Sequence, residues 1–360
     1  MLYTTPIPAP LDFQWPRSFN TWSLPHNAAP VVGGGICCTM TEGASGSPDQ
    51  PFYHESILLD EVVHYLAPSE GRLIADGTLG GGGHTEALLT AGATVKGVDR
   101  DAEARSYASE RLARFGPRFE AVAGCFSEMS RLAEEGSWGG LDGILLDLGV
   151  SSHQIDVGER GFSFRFDGPL DMRMGKEGRT AADLVNTWSE TDLRQIFWDL
   201  GEEKFARKIA GYLVEAREKA PFETTLQLAE GIEGLLGRRG RTHPATKIFQ
   251  ALRMEVNDEL GELRRFLEAA PGLLKLGGRL AIITFHSLED RIVKNVFRDA
   301  SLVEIDRPEW PAPRPNPDYC YRLLTRKGVA PGKAEVQGNP RSRSSRLRVV
   351  EKIITPSQSS

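Results

Sequence analysis

The stretch LIADGTLGGGGHTEALLTAGATVKGVD, Leu73 to Asp99, decides the fold. Leu73-Ile74-Ala75 is a short apolar run ending at Asp76, as a strand buried on both faces does. Gly77, Gly80, Gly81, Gly82 and Gly83 then let the backbone turn sharply and approach a ligand closely. Thr85 to Ala91 reads as a short helix with Gly92 placed to end it. Val95 to Val98 is the next strand, and Asp99 stands at its carboxyl end. Ligands of open α/β sheets bind at that edge, where an acid can accept both hydroxyls of an adenosine ribose.

Three ligands compete for such a unit. A dinucleotide fold needs glycines at n, n+2 and n+5. Here Gly80 and Gly82 lead to Thr85, and Gly81 and Gly83 to Glu86, so the pattern fails twice. A P-loop needs Lys and then Ser or Thr after its last glycine, but Gly82 is followed by Gly83 and His84. A nucleoside ligand without phosphate remains. Asp76 would repel a pyrophosphate and suit the ammonium of a methionine moiety, which points to S-adenosylmethionine; the alternative is a tight turn with no ligand.

Further blocks resemble the MraW family, the ribosomal small-subunit RNA cytosine-N4 methyltransferases. They are HESILLDEVV (His54 to Val63), DGTLGGGGHT (Asp76 to Thr85), LLDLGVSSHQID (Leu145 to Asp156) and ERGFSFRFDGPLDMRM (Glu159 to Met174). HPATKIFQALRMEVNDEL (His243 to Leu260), TFHSLEDRIVK (Thr284 to Lys294) and NPRSRSSRLRV (Asn339 to Val349) follow in order. The resemblance covers about residues 52 to 352. It implies a class I, Rossmann-like methyltransferase sheet and N4-methylation of a cytosine in 16S ribosomal RNA, in the decoding region. It further implies S-adenosylmethionine as cofactor, the assembled small subunit as partner, and a candidate homodimer. Implied cofactor contacts are Gly82, Gly83 and His84 at the loop, Asp99 at the ribose, Phe126 against the adenine, then Asp147 and Gln154.

Outward from the glycine loop, strand and helix alternate to Leu148, giving a parallel, doubly wound sheet. Ala104, Tyr107, Ala108, Leu112 and Phe115 recur at helical spacing, strand three falls near Phe119 to Val122, and strand four is Leu141 to Leu148. From Thr180 to Leu274 only helix signals occur, with Ser189 and Asp192 as a capping-box pattern and Thr224 as a further cap. Strand five is expected at Leu280 to Phe285. A βαβ crossover takes ~30 residues, so this longer gap reads as an inserted helical subdomain. Val303 to Ile305 and Leu347 to Glu351 are the expected last strands. The expected organisation is a disordered extension over 1–50 and a cofactor-binding domain from 51–155 and 275–352. An inserted substrate-recognition subdomain occupies 156–274, and a disordered tail 353–360.

Composition narrows the class. The 360 residues carry a net charge of −6. From Ser301 onward there are eleven Lys and Arg against six Asp and Glu, a balance of +5, which leaves −11 for the rest. Such a local patch can attract phosphate on an acidic protein, or be a solvated surface. No membrane span is expected, since no run of eighteen apolar residues occurs. Cys37, Cys38, Cys125 and Cys320 form no C-x-x-C pair, so no metal site is expected and a reduced, cytoplasmic protein is the simple inference.

Methylating an exocyclic amine requires a nitrogen held in line with the methyl group and an acceptor that draws off one N–H. That acceptor belongs at the end of strand four, where Asp147-Leu148-Gly149-Val150-Ser151-Ser152 stands. Asp147 is the candidate catalytic residue; its alternative role is a cap. Ser151 and Ser152 are candidates for a base edge, or turn-stabilising serines. Phe162, Phe164 and Phe166 alternate with Ser163 and Arg165, which places three rings on one side, either as a small core or as a stack for a flipped base. In a helix from Ala245 to Leu260, Gln250, Arg253 and Asn257 share a polar face suited to nucleic acid or a domain contact. His286 is a substrate contact or a structural hydrogen-bonder. Arg341, Arg343, Arg346 and Arg348 are spaced so that several can reach one RNA backbone. The rival functions are DNA amino-methylation, for which no sequence-reading module is found, and a non-catalytic ribosome-assembly factor.

Overall fold

The computed structural model describes residues 56–354, apart from Lys176, Arg239, Arg241 and the side chain of Ser152. The expectations for residues 1–50 and for the last residues of the tail lie outside the described residues. The chain runs α1 Leu59–Leu66, β1 Leu73–Asp76, α2 Gly83–Thr90, β2 Thr94–Asp99, α3 Ala102–Leu112, β3 Phe119–Ala123, α4 Met129–Glu135 and β4 Leu141–Asp147. It continues with α5 Ser152–Asp156, α6 Ala181–Thr187, α7 Glu190–Asp199, α8 Ala206–Arg217, α9 Thr225–Leu236, α10 Thr246–Val256, α11 Glu259–Leu273 and β5 Leu274–Thr284. The last elements are α12 Ser287–Asp299, β6 Glu304–Ile305, β7 Arg314–Pro315, β8 Tyr321–Leu323, α13 Lys333–Gly338 and β9 Arg346–Lys352.

Seven strands form one sheet in the order β3-β2-β1-β4-β5-β9-β8. The first five are parallel, and β9 is antiparallel to both β5 and β8. The chain steps outward from β1 to β2 and β3, then crosses back to β4 on the other side of β1. That reversal opens a crevice at the carboxyl ends of β1 and β4, where ligands of such sheets bind. Asp76, Asp99 and Asp147 are the last residues of β1, β2 and β4, so three aspartates share this edge.

Period-two alternation divides the strand residues between two cores. Ile74, Leu145, Ala281 and Ile283 pack with Leu66, Leu88 and Leu112 from α1, α2 and α3. Ala75, Ile144, Leu146 and Ile282 pack on the other face with Met129, Phe266 and Phe297 from α4, α11 and α12. Residues 162–252 hold a third core, including Leu184, Phe197, Ile209, Leu228 and Ile248 from α6 to α10. Ser189 and Thr224 cap α7 and α9 by accepting from the N–H of Asp192 and Gln227.

Four expectations are corrected. Helix α11, assigned by sequence to the insert, packs Leu263, Phe266 and Ala270 into a core of the sheet. The helix expected from Ala245 to Leu260 breaks after Val256, because Asp258 takes a left-handed backbone, φ 47°. Glu304–Ile305 does not join the main sheet; it pairs with Arg314–Pro315 in a separate ribbon, and Tyr321–Leu323 takes the edge beside β9. Strand five begins at Leu274 rather than Leu280, running straight out of α11.

Candidate active site

The glycine loop is held by its acids. Gly77 fits because a Cβ there would stand 2.4 Å from Leu146 Cδ2. Asp76 is buried; its Oδ1 accepts from the N–H of Thr78 at 3.1 Å and its Oδ2 from the hydroxyl of Thr85 at 2.7 Å. Asp76 therefore fixes the loop from beneath and does not line the cavity above it, which corrects its expected role toward an ammonium. Burial pushes its carboxyl above the usual range, against the pull of these hydrogen bonds and of His84.

A first cavity of about 120 Å³ lies on this loop, lined by Gly77, Thr78, Gly80, Asp99, Arg100, Phe126, Asp147, Gln154, Glu259 and Glu289, among others. Asp99 accepts from the N–H of Gly80 and of Asp101, both at 2.8 Å, and burial raises its carboxyl. Phe126 stands edge-on to Phe266 at 5.9 Å between ring centres, leaving it on the cavity wall. Gln154 closes a capping box with Ser151 and donates to Asp101 Oδ2 at 3.2 Å. The cavity thus carries four carboxylates against one guanidinium, an electrostatic setting that favours a cation.

Asp147 ends β4 on the same wall. Its N–H donates to Thr78 Oγ1 at 2.6 Å, Oδ2 lies 3.6 Å from His84 Nδ1, and buried Oδ1 has no hydrogen-bond partner among the described residues. Burial lifts this carboxyl to about 6; His84 works against that rise, while Asp76 and Glu289 add to it. Asp147 is not a helix cap: Ser151 fills that role for α5, accepting from the N–H of Gln154 at 3.2 Å.

Gly149, Val150 and Ser151 line this cavity and also a second, of about 380 Å³. Ile57, Leu79, Gly83, His84, Ile155 and Phe285 contribute walls, and Arg111, Arg253 and Arg341 bring positive charge with no carboxylate lining it. Arg111 is held by Glu86 and the Gly81 carbonyl, and Arg341 by Asp156 at 2.9 Å, leaving Arg341 Nη1 buried without a partner among the described residues. An acidic cavity and one lined by three carboxylate-paired arginines therefore meet at the Asp147–Ser151 turn.

The remaining candidates divide. Gly83 and His84 line the second cavity, but Gly82 lines neither; with φ 77° it turns the chain under α3, where a Cβ would stand 2.9 Å from Leu112. Arg253 lines the second cavity while pairing bidentately with Glu259 at 2.8 and 2.9 Å. Asn257 is buried, donates to the Met172 carbonyl and accepts from the Met174 N–H, so its amide ties the segment 172–174 to the end of α10 instead of facing a substrate. His286 caps α12, with Nε2 3.0 Å from Glu289 Oε1, and lines neither cavity. Glu259, His286 and Glu289 bring ligating atoms within 4.8 Å of one another, but Arg253 neutralises Glu259 and the Phe285 N–H holds Glu289.

The alternating phenylalanines do not share a side. Phe162 and Phe164 enter the insert's core, Phe164 against His243 and Phe249, while Phe166 is exposed. The segment is irregular, so the period of two has no strand behind it. Arg343 is exposed, but Arg348 is buried and bidentate to Asp290 at 2.7 and 2.9 Å. That corrects Arg348 from an RNA contact to a brace of β9. The side chain of Ser152 lies outside the described residues.

Sequence reasoning assigned no role to Thr78, Asp101, Arg111 or Arg160. Arg160 bridges Asp101 at 2.9 Å to the carbonyls of Arg173 and Met174, and holds the Asp101 carboxyl below its usual range although burial opposes this. The signal available was Asp101 itself, a second acid just beyond the strand end.

The model of the MraW methylase family matches residues 51–353. A protein of Hyphomonas neptunium named Ribosomal RNA small subunit methyltransferase H is 51% identical over 306 residues, covering 84% of this chain and 89% of its own. One of the same name from Myxococcus xanthus is 52% identical over 305 residues, covering 84% of this chain and 98% of its own. A solved structure of an rRNA methylase from Streptococcus thermophilus aligns over 82% of this chain and 94% of its own, at 11% identity and a TM-score of 0.37.

Proposed function

The chain belongs to the MraW methylase family, and on that premise we propose that it methylates the exocyclic N4 of a cytosine in 16S ribosomal RNA of the small subunit, with S-adenosylmethionine as donor. The observation that carries the reading is the pair of adjoining cavities, one acidic and one lined by arginines. The residues of the first fit the cofactor: Asp99 for the ribose, Phe126 for the adenine, and surrounding carboxylates for a cationic sulfonium and ammonium. The second suits a nucleotide, with apolar walls for a base and arginines for phosphate. A base must leave its helix to reach a buried site, and loop RNA permits this at low cost. The decoding region and the assembled subunit follow from the family resemblance, and we place the protein in the cytoplasm.

Bound S-adenosylmethionine supplies an electrophilic methyl group. The chain's own residues do the remaining work. Asp147 Oδ1, without a partner, accepts an N–H of the target amine and localises its lone pair. Its raised carboxyl suits a proton acceptor working near neutral pH. Ser151 stands at the seam of the two cavities, where it can orient the base. Purified protein incubated with small subunits and methyl-labelled cofactor should label 16S RNA. Labelling of DNA instead, or of no nucleic acid, would overturn the reading.

A further inference from the structure

His84 lies at the partition between the two cavities, and its ring nitrogens are not equivalent. Nε2 stands 2.9 Å from the carbonyl oxygen of Ile57. A carbonyl only accepts, so Nε2 carries a proton in every protonation state that keeps this bond. The neutral ring must then present a bare lone pair at Nδ1. That lone pair faces Asp147 Oδ2 at 3.6 Å. Two acceptors facing each other repel unless a proton enters between them, so the pair has one vacancy for one proton. The other charged groups that bear on this pair are Asp76 of β1 and Glu289 of α12. Opposing them, Arg111, Arg253 and Arg341 face the second cavity that His84 lines. The ring itself is buried, with its side chain 7% exposed.

Resting on the N4-methylation reading, we propose that His84 is the positioning partner of Asp147 and the final acceptor of the proton lost by the target amine. The amine lone pair forms the nitrogen–methyl bond as the sulfur–methyl bond breaks, and that bonding pair goes to sulfur. The nitrogen's surplus proton passes to Asp147 Oδ1. A half-turn of the carboxyl about Cβ–Cγ presents that proton to His84 Nδ1, which restores the carboxylate and leaves an imidazolium. The amine has lost one proton and His84 has gained one. After product leaves, the second cavity admits water to Nδ1.

The test uses the full chain and the variant His84→Gln, whose side-chain amide can keep the hydrogen bond to Ile57 but leaves no group at the Nδ1 position. Wild-type kcat should fall as pH drops through the titration of Asp147. In His84→Gln, kcat should fall about tenfold or more, within the usual worth of a positioned acid–base group. Its acid limb should also move to lower pH, because the Nδ1 lone pair that repels the carboxylate and shares the pair's one proton is gone. A purely structural histidine would lower activity without moving that limb. A second measurement needs neither turnover nor cofactor: nitrogen-15 NMR of wild-type imidazoles, with His84 identified as the ring perturbed by Asp147→Asn. The neutral Nε2–H tautomer is expected. An Nδ1–H tautomer, or an unmoved acid limb with undiminished kcat, would overturn the proposal while leaving the N4-methylation reading intact. Absence of methyl transfer by the wild type would instead remove that reading.

Discussion

Replacing Asp147 by Asn is expected to stabilise the protein and inactivate it together. Burial lifts this carboxyl from 3.8 to about 6. Between those values the folded protein keeps a proton that the unfolded chain has released, so stability declines as pH rises through the window and the whole penalty is present above it. At ~1.36 kcal/mol per unit, the shift corresponds to roughly 3 kcal/mol. Asn is isosteric, bears no charge, and can donate its amide N–H to His84 Nδ1. The side chain is 27% exposed, so solvent relieves part of the penalty. A gain of about 1–3 kcal/mol at pH 7.5 is therefore expected, worth several degrees in Tm. The gain should vanish near pH 4, where the carboxyl is protonated in the folded state. Thermal melts of both proteins at the two pH values, with methyl transfer measured alongside, make the assay. An Asn variant that melts lower than wild type at pH 7.5, or that gains equally at both pH values, would show that no buried charge is being relieved.

Four further outcomes follow from particular contacts. Asp99→Ala should weaken S-adenosylmethionine binding by roughly 1.5–3 kcal/mol, the worth of hydrogen bonds to a charged group, as read by calorimetry; an unchanged dissociation constant would remove Asp99 from the ribose site. Arg160→Met should lower stability by about 3–5 kcal/mol in denaturant melts, because it leaves the carboxylate of Asp101, 7% exposed, without its cation; a loss under 1 kcal/mol would mean that water replaces the guanidinium. Arg341→Gln should reduce RNA affinity and flatten its salt dependence by roughly 0.7 for each phosphate that is no longer neutralised. Arg348→Gln should instead lower Tm with the salt slope unaltered, and the reverse pairing of effects would exchange the two assignments.

Much of the sheet is legible in the chain because its signals are local. Apolar runs ending in Asp76, Asp99 and Asp147 mark three strands and the edge they share. Caps at Ser189 and Thr224 mark helix starts through side chains adjacent in sequence. Less legible is whatever depends on partners distant in the chain. The break at Asp258 is hidden because the apolar stripe of α10 continues in register into α11. Asp76 looks like a ligand for an ammonium until Thr85, nine residues on, is seen to fold back onto it. The arginines of the C-terminal segment are identical by type, yet Asp290 draws Arg348 inward while Arg343 stays in solvent. The phenylalanines of 162–166 show that alternation has meaning only where a strand enforces it. Gly82 is required for a left-handed turn beneath Leu112, a need the run of glycines does not assign to any one of them.

On the proposed reading, an acidic cavity and an arginine-lined one bring a methyl donor and a cytosine amine together at Asp147. Nucleoside mass spectrometry of 16S RNA, recovered from unmodified small subunits after incubation with the protein and S-adenosylmethionine, tests it most directly. One methyl group on the exocyclic nitrogen of a single cytidine, absent with Asp147→Asn, is the expected result. A methyl group on a ribose oxygen, a ring carbon or another base would contradict the account.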